Sequence, residues 1–165
     1  DRYREEVFPL IREALERWDE TRVAEGRTTT TDITRQLERL EASVAVFVEK
    51  APEVERITVD TVREKFAEIL GDEVEEQRVL AEAAALAIKH GTNEEMVRLK
   101  SHIEGFRRVL ADDGAVGKRL DFICQEINRE VNTTGSKTIL PEVQSAVVEA
   151  KDAVEAIREQ VRNIE

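Results

Sequence analysis

From Val143 to Ile164, apolar residues recur at alternating steps of four and three: Val143, Val147, Ala150, Val154, Ile157, Val161 and Ile164. That is a heptad seam, and a helix carrying one must lie along a partner helix over its whole length. The same helical spacing runs through nearly all of the chain. Ile11, Leu15 and Trp18 share one stripe, and Ile33, Leu37, Leu40, Val44 and Phe47 resume it in nearly the same phase. Between them lie Gly26 and four consecutive threonines, Thr28 to Thr31, which are poor helix formers. Because the phase nearly carries across, one helix over residues 9–50 is expected, with a kink at the threonines as the alternative. No strand-like alternation of useful length occurs. The expected fold is all-α, with long antiparallel helices forming an elongated bundle.

Breaks are few. Ala51-Pro52 is expected to end the first helix, with Pro52 in the first turn of the next. A second helix follows on Val54, Ile57, Val62, Phe66, Ile69 and Leu70, and a third over about 73–90 on Val74, Leu80, Ala84 and Ala87. Gly91 is the natural C-cap. Thr92-Asn93-Glu94-Glu95 reads as a capping box opening a fourth helix, carried by Met96, Leu99, Ile103, Phe106 and Leu110. A fifth is expected from Val116 to about Thr133, then a Gly135-Ser136-Lys137-Thr138 loop before the helix that opens at Pro141. The organisation expected is a long helix over 1–50, a helical hairpin over 51–91, and a C-terminal helical region over 92–165.

Charge limits the functions open to such a chain. The 165 residues hold 36 acidic and 25 basic side chains, a formal net charge of −11, which argues against indiscriminate nucleic-acid binding. The balance is uneven, however. Residues 98–137 carry eight Lys/Arg against six acids, a local +2 that leaves −13 on the remainder. A cationic segment on an acidic body can draw a polyanion to one place. The single cysteine, Cys124, allows no internal disulfide, and no paired Cys/His spacing suggests zinc, so a reducing intracellular setting is expected. No apolar run approaches a membrane span and no signal-peptide pattern opens the chain. The chain starts without Met, inside a helical pattern, so a fragment of a longer protein is expected.

Polar residues stand out in two helices. In the fifth, the apolar stripe Leu120, Ile123, Ile127 and Val131 is flanked by Asp121, Gln125, Asn128 and Asn132. A solvated face would favour Glu and Lys over Asn. Amides suit base edges and ribose hydroxyls, or else bridge to neighbouring helices. Glu126 and Glu130, four apart, project together. They suit a hard divalent ion, or an ion-pair network with Arg119 and Arg129. In the fourth helix Glu95, Arg98 and His102 share a stripe, with Gly105 leaving room beyond. His102 suits proton transfer and Arg98 a phosphate, or else His102 is a surface histidine capped by Glu95. His90 sits at a helix end, where a histidine is favourable with the dipole.

The segment GKRLDFICQEINREVNTTGSK and the ending AIREQVRNIE resemble the C-terminal signature of the YicC-like endoribonuclease family. Its pattern G-R-R-L-D-F-x-x-Q-E-x-N-R-E-x-N-T-x-x-S-K is matched at Gly117, Arg119, Leu120, Asp121, Phe122, Gln125, Glu126, Asn128, Arg129, Glu130, Asn132, Thr133, Ser136 and Lys137. Upstream, Glu94, Glu95, Arg98 and His102 resemble its E-E-x-x-R-L-x-x-H segment, and Arg22, Glu25 and Gly26 its R-x-x-E-G. Glu82 resembles a glutamate of the preceding helix. Thr29, Gly91 and the stretch Thr138-Ile139-Leu140 depart from the pattern, which weakens a metal role at position 91. Family members carry a further N-terminal portion, so this chain is expected to be incomplete as an enzyme.

The resemblance implies a bacterial, cytoplasmic endoribonuclease that hydrolyses RNA phosphodiester bonds with Mg²⁺ or Mn²⁺. It implies a homo-oligomer of six subunits enclosing RNA. Carried over residue by residue, Arg22, Arg98, Arg119, Gln125, Asn128, Arg129, Asn132 and Lys137 would contact RNA. Glu95, Glu126 and Glu130 would hold the metal, and His102, Glu126 and Glu130 would form the catalytic set. The rival expectation is a non-catalytic helical oligomerisation module that binds RNA or an RNA-decay enzyme.

Overall fold

Threonine in a helix can return its hydroxyl to the carbonyl four residues back, which makes a run of threonines compatible with an unbroken helix. That happens here. Thr28 donates to the Ala24 carbonyl at 3.1 Å, Thr30 to Gly26 and Thr31 to Arg27 at 2.8 Å each, and Thr34 to Thr30 at 2.8 Å. The computed structural model describes residues 2–70, 81, 85, 92–112, 114–138 and 140–164. Within them a single helix, α1 (Arg2–Leu70), passes through the threonines without interruption. It is followed by α2 (Asn93–Leu110), α3 (Gly117–Ser136) and α4 (Pro141–Val161). No strand occurs among the described residues. The all-α expectation holds. Most of the helix expected over about 73–90 lies outside the described residues.

Two expected boundaries move. The first helix does not end at Ala51-Pro52; Pro52 is inside α1, which continues to Leu70. Proline removes one backbone donor, at a cost of about 3 kcal/mol in a helix interior. Here the apolar stripe keeps its phase across it. Leu40, Val44, Phe47 and Val54 are all buried, with Ala51 half-buried between them, so leaving the helix at residue 51 would uncover Val54. Burying such a side chain stabilises by about 1.5–3 kcal/mol. Lys50 also pairs with Glu53 at 3.3 Å and lies 3.9 Å from Glu142 of α4, tying both sides of the proline in place.

The other shift is at the end of α3, which runs to Ser136 rather than Thr133. Thr134 is buried and donates to the Glu130 carbonyl at 2.9 Å, while Gly135 lies so close to Val147 that an added Cβ would sit 3.0 Å from its methyl. The extra turn is held by packing on α4. The connection is then fixed by Gln144, which donates to the carbonyls of Gly135 and Thr138 at 2.7 and 2.6 Å.

Cross-helix pairs give the topology. Arg39 reaches Glu149 and Asp152, and Lys50 approaches Glu142, so α1 and α4 are antiparallel. Arg107 meets Glu41, setting α2 against α1. Arg98 meets Glu130 and Lys137 meets Glu95, setting α3 antiparallel to α2, and Arg158 meets Asp121, doing the same for α4 and α3. The result is an up-down-up-down four-helix bundle. Its core runs from Ile33, Leu37 and Leu40 of α1 through Leu99 and Phe106 of α2 and Leu120 and Ile127 of α3 to Val154 and Ile157 of α4. Every residue of the α4 heptad seam from Val143 to Val161 is buried.

Only part of α1 belongs to that bundle. Residues 3–28 are exposed on every face, including Tyr3, Val7, Phe8, Leu10, Ile11, Leu15, Trp18 and Val23. At about 1.5 Å per residue this stretch extends close to 40 Å.

Candidate nucleic-acid interface on the second and third helices

The helices α2 and α3 run antiparallel, so the start of one lies beside the end of the other. Two carboxylates are buried there: Glu95 is 6% exposed and Glu130 only 3%. Buried carboxylates need partners, and the neighbouring helix supplies them. Lys137 donates to Glu95 Oε1 at 2.7 Å. Arg98 donates to Glu130 Oε1 at 3.4 Å while also pairing with Glu94 one turn earlier on its own helix. The bond to Glu130 and the charge of Glu94 both raise the Arg98 pKa, so its guanidinium stays charged. Glu95 Oε2, in contrast, is buried without a hydrogen-bond partner.

The capping box expected at Thr92–Glu95 does not form; Thr92 sits at the N-cap with no side-chain cap bond. The Glu95 carboxylate reaches Lys137 on α3 instead of the amide at its own helix start. Nor does Glu130 join Arg119 and Arg129 in one network. Arg119 pairs with Asp112 at 2.9 Å in the α2–α3 turn, and Arg129 lies 4.0 Å from Glu126.

Midway along α3, Asp121 ties two helices together. It accepts from Gln125 at 2.7 Å and from Arg158 of α4 at 3.2 Å. Hydrogen bonds from Gln125 and then Arg158 hold its carboxyl below the ordinary value of 3.8. The bridge to the neighbouring helix is thus made by the Asp121 carboxylate, while the Gln125 amide bonds within its own helix. Asn128 is half-buried and Asn132 exposed farther along. His102 is half-buried on α2, and a Cβ added at Gly105 would meet no atom within 4 Å, so the space beyond the histidine is open.

Arg22 lies apart from these residues. Its guanidinium sits 4.7 Å from the centroid of the Trp18 ring on the projecting part of α1. Both line a groove of about 890 Å³ that also touches Gly26, Asp112, Val116 and Asn163. The groove is at the end of the bundle that holds the α2–α3 turn, opposite the Glu95–Lys137 end.

Among the described residues, no three His, Cys, Asp or Glu side chains converge to hold a metal ion. Glu95, Glu126 and Glu130 are thus not a three-ligand set within this chain, and Glu95 and Glu130 are each already paired with a cation. The unpartnered Glu95 Oε2 is the one atom of the three carboxylates that burial leaves unsatisfied.

Sequence reasoning identified Arg98, Glu130, Glu95 and Lys137 but not their pairing across helices. It missed the Asp121–Arg158 link, which the spacing of Arg158 on a seam helix could not reveal. It matched Phe122 to the motif but gave it no role, although its place off the apolar stripe was a signal.

A four-helix bundle carrying buried carboxylate–cation pairs and a polar outer face on α3 defines a class of all-α proteins whose conspicuous polar residues lie between and upon helices. Residues 47–165 match the family described as "Endoribonuclease YicC-like, C-terminal", and the chain belongs to that family. It is 35% identical over 161 residues, 94% of its length, to the "Probable endoribonuclease YicC" of Clostridioides difficile (strain 630), of which it covers 54%. To the protein of the same name from Haemophilus influenzae it is 36% identical over 126 residues, 74% of this chain and 44% of the relative. The chain thus spans about half the length of the curated relatives it matches.

Proposed function

We propose that this chain is the C-terminal helical part of a metal-dependent endoribonuclease that hydrolyses RNA phosphodiester bonds. The observation that carries the reading is the division of the α3 motif. Leu120, Ile127 and Val131 fill the core, whereas Arg119, Gln125, Arg129 and Asn132 are exposed and are not needed to build it. Family membership, and the names of the two relatives, support cleavage of RNA over other uses of such a surface.

In this proposal Arg22, Arg98, Arg119 and Arg129 hold phosphates, with Lys137 at the end of the path. Gln125, Asn128 and Asn132 contact bases or ribose. His102 transfers a proton, and Glu126 and Glu130 act beside it with Glu95. Dependence on Mg²⁺ or Mn²⁺ is part of the proposal, but no step is routed through the ion because the carboxylates of one chain do not converge on it. Self-association, with six subunits as the expected number, is supported by the apolar side chains that α1 exposes between Tyr3 and Val23. No helix among the described residues is long and apolar enough to cross a membrane, and a bacterial cytoplasmic setting is proposed with the rest.

The alternative is a non-catalytic oligomerisation module that binds RNA or an RNA-decay enzyme. The specific observation in its favour is that Glu95 and Glu130 are internally paired and serve the α2–α3 contact. Labelled single-stranded RNA incubated with the protein and Mg²⁺ or Mn²⁺, then with chelator, separates the two. Metal-dependent cleavage that His102→Ala and Glu126→Ala abolish, at unchanged oligomer size, supports the enzyme. RNA that is bound but uncut by the full-length protein supports the adaptor.

A further inference from the structure

Phe122 is 62% exposed, and it is the one large apolar side chain that α3 shows to solvent among the described residues. The helix does not need it there. The core face is filled by Leu120, Cys124, Ile127 and Val131, and an exposed helix position is better served by Glu or Lys. The residues one turn away on either side decide what this ring can meet. On a helix these are the positions three and four removed: Lys118 and Arg119 before it, Gln125 and Glu126 after it, with Arg129 one further turn on.

A protein-docking patch would surround the ring with more apolar surface. Phe122 instead has Lys118, Arg119, Gln125 and Glu126 one turn away, with Arg129 two turns on, so its neighbours are polar and three of the five are cations. Arg119 and Arg129 keep 59% and 71% of their side chains exposed although Asp112 and Glu126 steady them. Gln125 is oriented by its bond to Asp121, which Arg158 anchors in turn. An aromatic face among exposed cations and a fixed amide is the arrangement by which proteins hold an unpaired base and its flanking phosphates.

We infer that Phe122 is a stacking platform for an unpaired RNA base, flanked by Arg119 and Arg129 for the phosphates on either side. This rests on the RNA reading above and adds a preference: single-stranded RNA over duplex, since a paired base offers no free face.

Trp18 is the only tryptophan in the chain, so Phe122→Trp in a Trp18→Phe background places one fluorophore at the site. Titration with single-stranded oligouridylate and oligoadenylate should quench its emission saturably, and duplex RNA of equal length should do so far less. Phe122→Ala should weaken single-strand binding by about 5- to 150-fold, the range expected for loss of one stacked base. Phe122→Tyr should retain binding and Phe122→Leu should not, with thermal midpoints unchanged in all three. If anisotropy shows that wild-type protein binds the labelled strand while emission at position 122 stays constant and Phe122→Ala binds equally well, the inference fails and the RNA reading stands. A change in oligomer mass without a change in RNA affinity would assign the ring to subunit contact and overturn the inference. Absence of any RNA binding by the wild-type protein would bring down both.

Discussion

Lys137 Nζ lies 2.7 Å from Glu95 Oε1, a bond that spans 42 residues of sequence and joins the end of α3 to the first turn of α2. Both side chains are largely withdrawn from solvent, at 18% and 8% exposure. Attraction between such groups offsets the cost of removing them from water only while both are present. Lys137→Met should therefore destabilise the fold by roughly 3 kcal/mol, read as a lower urea midpoint. Adding Glu95→Gln should recover a large part of that loss. A single variant as stable as wild type would show that the pair contributes nothing.

Proline 52 gives the opposite direction. It is exposed within α1 and supplies no backbone donor. Pro52→Ala should restore the missing bond to the carbonyl one turn earlier and stabilise by about 1–3 kcal/mol. A higher melting temperature checks this, and a lower one would mean that the ring's packing outweighs the lost bond.

At the start of α3, Gly117 accommodates the chain end. A Cβ there would sit 2.6 Å from the Ile164 carbonyl oxygen, and backbone cannot swing aside as a flexible side chain can. Gly117→Ala should cost about 1–3 kcal/mol, as overpacking does, and should loosen residues 161–164 first. Faster amide exchange at Ile164 than elsewhere in the bundle would be the sign.

The Cys124 thiol is buried, and burial pushes its pKa from 9.0 up to about 12. For a group whose folded pKa is raised, stability is fully present below the unfolded value and lost as pH rises toward the folded one. The fold should weaken progressively above pH 9, and Cys124→Ala should lack that part of the decline. Thiol reagents at pH 8 should label the protein only as fast as it opens. Asp121 behaves in the opposite sense. Its depressed pKa contributes stability above about pH 4 that is lost as pH falls below it, and Asp121→Asn should flatten this acid limb in urea titrations.

Much of the bundle was legible in apolar spacing, because a side chain at Leu37, Leu99 or Val154 reports its burial through its period alone. Pro52 shows where a local rule loses. Proline is read as a helix boundary, yet the phase from Leu40 to Val54 spans it, and burial at Val54 outweighs one missing donor. The C-terminal turn of α3 was hidden for a related reason: Gly135 looks like a loop residue until Val147 is seen against it. At the candidate site, residue types and resemblance singled out Arg98, Glu130, Glu95 and Lys137. Their pairing was not legible, since a helix position gives a direction and not a neighbour. Phe122 was legible as a motif residue but not as a functional one, because it lies off the buried stripe and its type alone does not say what it meets.

The projecting part of α1 has a further consequence. Between Ile33 and Val54 the amides of this helix are covered by two neighbouring helices, α2 and α4, and open only when the bundle does. Between Tyr3 and Thr28 the same unbroken ladder has no tertiary cover. One continuous helix should thus contain two exchange regimes: backbone hydrogens near Trp18 that trade with solvent by local fraying, and hydrogens near Leu40 that wait for global unfolding.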